Sequence, residues 1–321
     1  MLSRVADSLY WMSRYLERAE NAARLIDVHL NLRLDQSPKV AGSRWVRLTA
    51  SLQIPLPTTG DHNDDFQMVD WLTFDLSNSS SIVSCIGAAR ENARHVREQI
   101  SSEMWEHLNQ LHLSVKQADS EVIWLSQPHQ FLQSVKDGAY FFQGITDSTM
   151  NHGEGWHFIQ IGRYIERARL IACLLDTHFT TFHQKPDYVI GSDDYLEWVG
   201  LLQGCAAFES YRKVYTADVT PNRVAEFLLL NSELPHSVCF AIDRLQDALN
   251  GYAEATETRK VGRVYRILGR LRAALDYDQI DEIMAGGLHN YLLDLQEQCA
   301  QIHEALYKMC IDYPIETALT A

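Results

Sequence analysis

A chain of 321 residues with 46% hydrophobic and 22% charged side chains has the balance of an ordinary folded protein, with length enough for one large core or two moderate ones. Lys and Arg number 28 against 42 Asp and Glu, and the resulting net charge of −14 repels phosphate backbones, which excludes nucleic acid as the expected partner. No run approaches the roughly 18 consecutive apolar residues of a membrane span, and the start Met1-Leu2-Ser3-Arg4-Val5-Ala6-Asp7 lacks the apolar centre of a secretory signal. A cytoplasmic protein without a membrane partner is expected. Cys85, Cys173, Cys205, Cys239, Cys299 and Cys310 show no C-x-x-C spacing and read as buried, reduced thiols.

Taken in chain order, helices are expected at about 3–33, 42–53, 80–100, 102–125, 129–150, 154–183, 192–212, 221–230, 236–251, 257–275 and 286–312. Prolines stand where helices should break: 38, 55, 57, 128, 186, 221, 235 and 314. The clearest loop is 55–67, followed by 184–194 and 213–222. Few segments are β-branched with period-two alternation, so the fold class is all-α, a helical bundle. On the first helix Leu9, Met12, Leu16, Ala19, Ala23, Ile26 and Leu30 line up as one apolar stripe. Phe158, Ile161, Ile165, Ala168, Ala172, Leu175 and Phe179 repeat it later. Such stripes are core packing rather than ligand sites.

That second stripe belongs to a wider likeness within the chain. Arg14-Tyr15-Leu16-Glu17-Arg18-Ala19 returns as Arg163-Tyr164-Ile165-Glu166-Arg167-Ala168, with Asp27 and Asp176 following at equal distance. Trp45-Val46 matches Trp198-Val199, and Trp71-Leu72 with Ser81-Ile82 parallels Phe227-Leu228 with Ser237-Val238. The spacing is far longer than the roughly 20–50 residues of a solenoid repeat. We read a single unit over 1–321, built from two pseudo-repeated halves of about 1–150 and 151–321 that share one interface.

Charged residues on such oily helices must be paired. Arg14 stands one turn from Glu17, and Arg163 one turn from Glu166, so each can pair along its own helix or across to the facing copy. Either the charges form a closed network that fixes register, or spare guanidinium donors hold a carboxylate or phosphate. The candidate ligand-binding residues are Arg14, Glu17, Arg18, Asn21, Arg163, Glu166 and Arg167, with Arg90 and Arg94 from a second cluster that continues to Arg97. Glu154-x-x-His157 has the spacing of half a di-iron site but has no second Glu-x-x-His, so no metal is expected. No phosphate-binding glycine loop, nucleophile elbow or zincin motif occurs, and no cofactor is expected.

These residues resemble a known family. Leu2-Ser3-Arg4-Val5-Ala6, Tyr10-Trp11-Met12-Ser13-Arg14-Tyr15-Leu16-Glu17-Arg18-Ala19-Glu20-Asn21, Ala89-Arg90-Glu91-Asn92-Ala93-Arg94 and Glu166-Arg167-Ala168 are similar to the bacterial alpha-E family, over essentially the whole chain. Glu154-Gly155-Trp156, Gly162-Arg163 and the Leu228-Leu229-Leu230 to Ser237-Val238 block fit as well, while Asn151-His152 departs from the family's usual Arg. The resemblance implies an all-helical domain named for its Glu-Arg motif. It also implies a circularly permuted ATP-grasp protein as partner, encoded beside it or fused to it, often with a transglutaminase-like peptidase. ATP-grasp enzymes join a carboxylate to an amine through an acyl phosphate. The expected role is an accessory or substrate-binding component of an amide (peptide) ligase system, taking a small carboxylate or peptide ligand, with a homo-oligomer open. A structural assembly module and a stand-alone acid/base enzyme using Glu17 or Glu166 are the alternatives.

Overall fold

The structure, a computed structural model, describes residues 2–34, 41–58, 60, 62, 64–182, 192–216, 218–260 and 262–310. Among the described residues every regular element is a helix. The first series is α1 (Ser3–Leu34), α2 (Ala41–Leu52), α3 (Asp65–Thr73), α4 (Ile82–His95), α5 (Ser102–Gln117), α6 (Ser120–Ser126) and α7 (Pro128–Thr149). The second is α8 (Glu154–Phe182), α9 (Ser192–Gly204), α10 (Phe208–Tyr215), α11 (Pro221–Leu230), α12 (Val238–Ala255), α13 (Arg263–Tyr277), α14 (Ile280–Gly286) and α15 (Leu288–Cys310). None of them is long and apolar enough to cross a membrane.

Local chemistry accounts for most helix ends. Ser81, Ser101 and Ser237 cap α4, α5 and α12 by accepting a backbone N–H of the first turn. Pro128 and Pro221 open α7 and α11, where a missing N–H costs nothing. The expected helix 102–125 is in fact two, because Asp119 turns extended and caps α6 through the Val122 amide. The expected 192–212 is likewise split, at Ala206, whose φ of 48° ends α9. Helix α3 begins inside the expected 55–67 loop, where Asp64 accepts from the Phe66 and Gln67 amides. Pro38, Pro186, Pro314 and most of the expected 184–194 loop lie outside the described residues.

Helices α1 and α8 are the axis of the molecule. Both apolar stripes are buried along their whole length. Leu9 meets Gly155, Tyr10 meets Gly162, and Leu25 and Leu174 share a wall, so the two helices run side by side in the same direction. Helix α1 packs on α4 and α7, and α8 on α12 and α15. The second layer is exchanged: α2 lies against α8, while α9 lies against α1. Trp45 of α2 and Trp198 of α9 are fully buried there, the former donating its indole N–H to Asp65 at 2.7 Å. One contiguous core results. Of the six cysteines, all free, five are buried and Cys310 is partly so.

The closest approach along the axis is at Gly162, where an added methyl would collide with the Tyr10 carbonyl and the Ser13 hydroxyl. Backbone cannot yield as a flexible side chain does. Gly162→Ala should therefore lower the unfolding free energy by about 2–3 kcal/mol in urea titrations. Gly144→Ala on α7, with open space around the new methyl, should be neutral or stabilise by up to about 1 kcal/mol. Equal effects at both positions would mean that the α1–α8 contact is looser than described.

Candidate functional site

The parallel run of α1 and α8 puts each glutamate opposite the other helix's arginines. Glu166 is fully buried and receives Arg14 Nε at 2.6 Å, Arg18 Nε at 2.7 Å and Arg169 Nη2 at 2.7 Å. Glu17 takes a two-pronged contact from Arg167, Nε at 2.5 Å and Nη2 at 2.9 Å, with Arg163 at 4.0 Å. Of the two pairings open to them, Arg14 and Arg163 take the one across to the facing helix, Arg14 on Glu166 and Arg163 at 4.0 Å from Glu17. The crossing contacts of Arg14, Arg18 and Arg167 are charge-assisted hydrogen bonds to buried carboxylates, stronger than an i,i+3 pair on a wet surface, while Arg163 Nε has no hydrogen-bond partner.

The two glutamates have different surroundings. On the Glu166 side, Arg14, Arg18 and Arg169 form one wall of an open cavity of about 330 Å³, completed by His303, Gln53 and Ser80 over an apolar floor that includes Ile165 and Cys299. Arg14 also donates to the Tyr10 hydroxyl at 3.0 Å and stacks over the Trp11 ring at 4.6 Å. Tyr10 in turn meets His303 Nδ1 at 2.8 Å. Arg169 donates to Gln53 Oε1, while its Nε is buried without a partner. On the Glu17 side, side chains fill the corresponding ground. Arg24 binds Glu20 at 2.5 Å and the Gly204 carbonyl at 2.8 Å, and lies 3.4 Å from both ring nitrogens of His236. The Tyr140 hydroxyl donates to Glu20 at 2.8 Å, and Arg167 reaches the Pro235 carbonyl.

The charges do not balance. Arg14, Arg18, Arg24, Arg163, Arg167 and Arg169 surround Glu17, Glu20 and Glu166, an excess of cations inside a chain whose net charge is −14. The excess is largest at Glu166, where three guanidiniums share one carboxylate. Burial alone would push that carboxyl up, yet Arg14, Arg169 and Arg18 together hold it well below the usual carboxylate range. Glu166 therefore stays ionised and offers no proton. Burial and the nearby Arg24, Arg167 and Arg163 push His236 well down, so it stays neutral. Burial, then Arg14, lowers His303 as well.

Of the residues expected to bind ligand, Arg14 and Arg18 line the cavity, with Glu166 directly behind them. Glu17, Arg163, Arg167 and Asn21 belong to the other side, Asn21 accepting from Arg24 at 3.4 Å. Arg90 and Arg94 are elsewhere, on the outer part of α4: Arg90 binds Asn109 and covers Trp105, and the exposed Arg94 binds Glu91. Neither lines the Glu166 cavity. The reading of sequence missed Arg169 as a site residue, although its i+3 spacing from Glu166 is visible there. His303, Gln53 and Ser80 arrive from α15 and two turns and carry no local signal.

Removing the carboxylate should expose the excess. Glu166→Gln leaves three guanidiniums uncompensated and should cost about 3–5 kcal/mol of unfolding free energy at pH 7. The folded carboxyl is depressed, so its contribution is complete above the unfolded value of about 4.3 and is lost as pH falls below it toward the folded value. Denaturant melts should accordingly show the gap between wild type and Glu166→Gln narrowing below about pH 4. A gap that stays constant with pH would refute the paired, ionised state.

Relatives place this arrangement in a group. An uncharacterized protein of Mycobacterium bovis and one of Mycobacterium tuberculosis are each 26% identical to this chain over 324 residues, covering 94% of it. A further uncharacterized Mycobacterium tuberculosis protein matches to the same extent. The alignment spans only 35% of each relative's length, so this chain corresponds to about a third of those proteins. No solved structure matches it. The family described as Alpha-E, a predicted alpha-helical domain with a conserved ER motif, matches residues 1–309. With Glu17-Arg18 and Glu166-Arg167 as its two ER pairs, meeting at the centre of the fold, the chain belongs to the Alpha-E family.

Proposed function

We propose that this chain is the carboxylate-binding component of an ATP-grasp-linked amide ligase system, holding an amino acid or peptide by its carboxylate in the Glu166 cavity. One observation carries the reading: Arg14, Arg18 and Arg169 converge on a single carboxylate at the wall of an open cavity. A second anion facing them relieves the repulsion among three cations, and the planar guanidinium fork suits a carboxylate. The apolar floor fits the carbon skeleton of such a ligand. The ligase context rests on the resemblance of the motifs to a family that accompanies circularly permuted ATP-grasp proteins. Relatives with most of their length outside the shared region are consistent with a module that works beside a second activity.

The structural alternative has its own support at Glu17, where Arg167, Glu20, Arg24, Tyr140 and His236 meet one another as protein groups, although Glu20 Oε2 and Arg163 Nε stay without a hydrogen-bond partner. We assign that side to holding the helices in register. A stand-alone acid/base enzyme using Glu166 fits less well, because a carboxylate held ionised by three arginines has no proton to donate and is a weak base.

The test is reconstitution with a circularly permuted ATP-grasp protein, the partner that the family resemblance implies. Adding the chain should raise ATP turnover or amide product at least several-fold. The variant Arg18→Ala, whose side chain is a quarter exposed at the cavity, should lose that effect while still folding. A partner that works equally well alone would overturn the reading.

A further inference from the structure

The cavity at Glu166 continues past its arginines. Gln53, Ile54 and Ser80 line it and also line a second hollow, bounded by residues 53–58, α3 and the 75–80 turn. The two hollows adjoin at these three residues, which together outline a candidate groove. Its ends carry opposite charge. Arg14, Arg18 and Arg169 stand at one end; Asp70 of α3 and Asp75 stand at the other, where no Lys or Arg lines the wall among the described residues. Asp75 uses one oxygen to accept the Ser77 amide at 2.7 Å, and neither aspartate has a cationic partner among the described residues.

The junction is built with some strain. Gln53 has a φ of 56°, a left-handed conformation that a non-glycine residue seldom adopts. Its side chain is fixed at both ends, Oε1 accepting from Arg169 and Nε2 donating to Gln296 at 3.0 Å. Strained backbone gathers at ligand clamps, because only a well-determined surrounding holds it.

Resting on the carboxylate reading above, we infer that the ligand is a short peptide with two free ends. Its α-carboxylate lies on Arg14, Arg18 and Arg169, and its terminal ammonium lies toward Asp70 and Asp75. A single amino acid carries both charges on one carbon and cannot place them in two hollows. A peptide places them apart, with its middle passing Gln53, Ile54 and Ser80. Charge thereby sets direction as well as class: the reversed peptide meets like charge at both ends.

Calorimetric titration at low salt with trialanine, N-acetyl-trialanine and alanine tests this. Trialanine should bind wild type at least about tenfold more tightly than either of the others. Asp70→Asn/Asp75→Asn, in which the side-chain oxygen at position 75 can still accept from Ser77, should bind trialanine and its acetylated form alike. Arg18→Ala should weaken both peptides, and thermal melts check that each variant is folded. If acetylated and free trialanine bind wild type equally and both depend on Arg18, the ammonium assignment fails while the carboxylate reading stands. If no peptide binds in an Arg18-dependent way, both fail together.

Discussion

Everything in this molecule depends on two parallel helices that pair their charges with each other. Glu17 and Glu166 are buried in the core, and each is paired across to the other helix, Glu166 also taking Arg169 from its own. The cross-helix contacts, from Arg14 and Arg18 to Glu166 and from Arg167 to Glu17, measure 2.5–2.7 Å. Such an arrangement tolerates little sliding, since a shift of one residue would strand a carboxylate in apolar surroundings. Glycine at 162 allows the helices to come close enough for these contacts. The apolar stripes supply the area of contact, and the charges select one register from the several that such stripes permit.

The same centre has two unlike sides. Around Glu17, Tyr140 and His236 supply the groups that meet Glu20 and Arg24. Around Glu166, Ser80 and Ala300 line the cavity, and both are too small to fill it. Arg169 adds a third cation on this side, while Glu20 adds a second anion on the other. Closure on one side secures the helices, so the other can remain open at modest cost to stability. A polar network is most valuable when complete; here each face keeps a buried guanidinium Nε without a partner, Arg163 beside Glu17 and Arg169 beside Glu166.

Much of this was legible in the residues. The all-α class, the two apolar stripes and the central place of the Glu-Arg pairs followed from helical periodicity and from charges set among oily neighbours. Helix ends marked by proline were also visible, as at Pro128 and Pro221. Ends made by geometry were not: Ala206 breaks a helix with no proline, and Asp119 does so with a single cap. Direction across the centre was hidden too. Spacing brought Arg14 within reach of both Glu17 and Glu166, and only packing chose between them. Arg90 and Arg94 looked like a second basic cluster, yet periodicity cannot tell an outward face from one that meets a distant cavity. His303 is 293 residues from Tyr10, the group it touches, a distance no local pattern can bridge.

The exchange of α2 onto α8 and of α9 onto α1 has a consequence for how the chain comes to be folded. While synthesis runs from the N-terminus, α1 and α2 emerge long before the surfaces that cover them. Until α8 is made, Glu17 lacks Arg167, and Arg14 and Arg18 lack Glu166. The nascent first half is thus an incomplete core with unmatched charge, held back from collapse onto itself by the very residues that later lock it. Contacts of such long sequence separation make assembly slow and late. The polar centre can form only once α8 has been made, so the charges of α1 stay unmatched until the chain has been extended through residue 182.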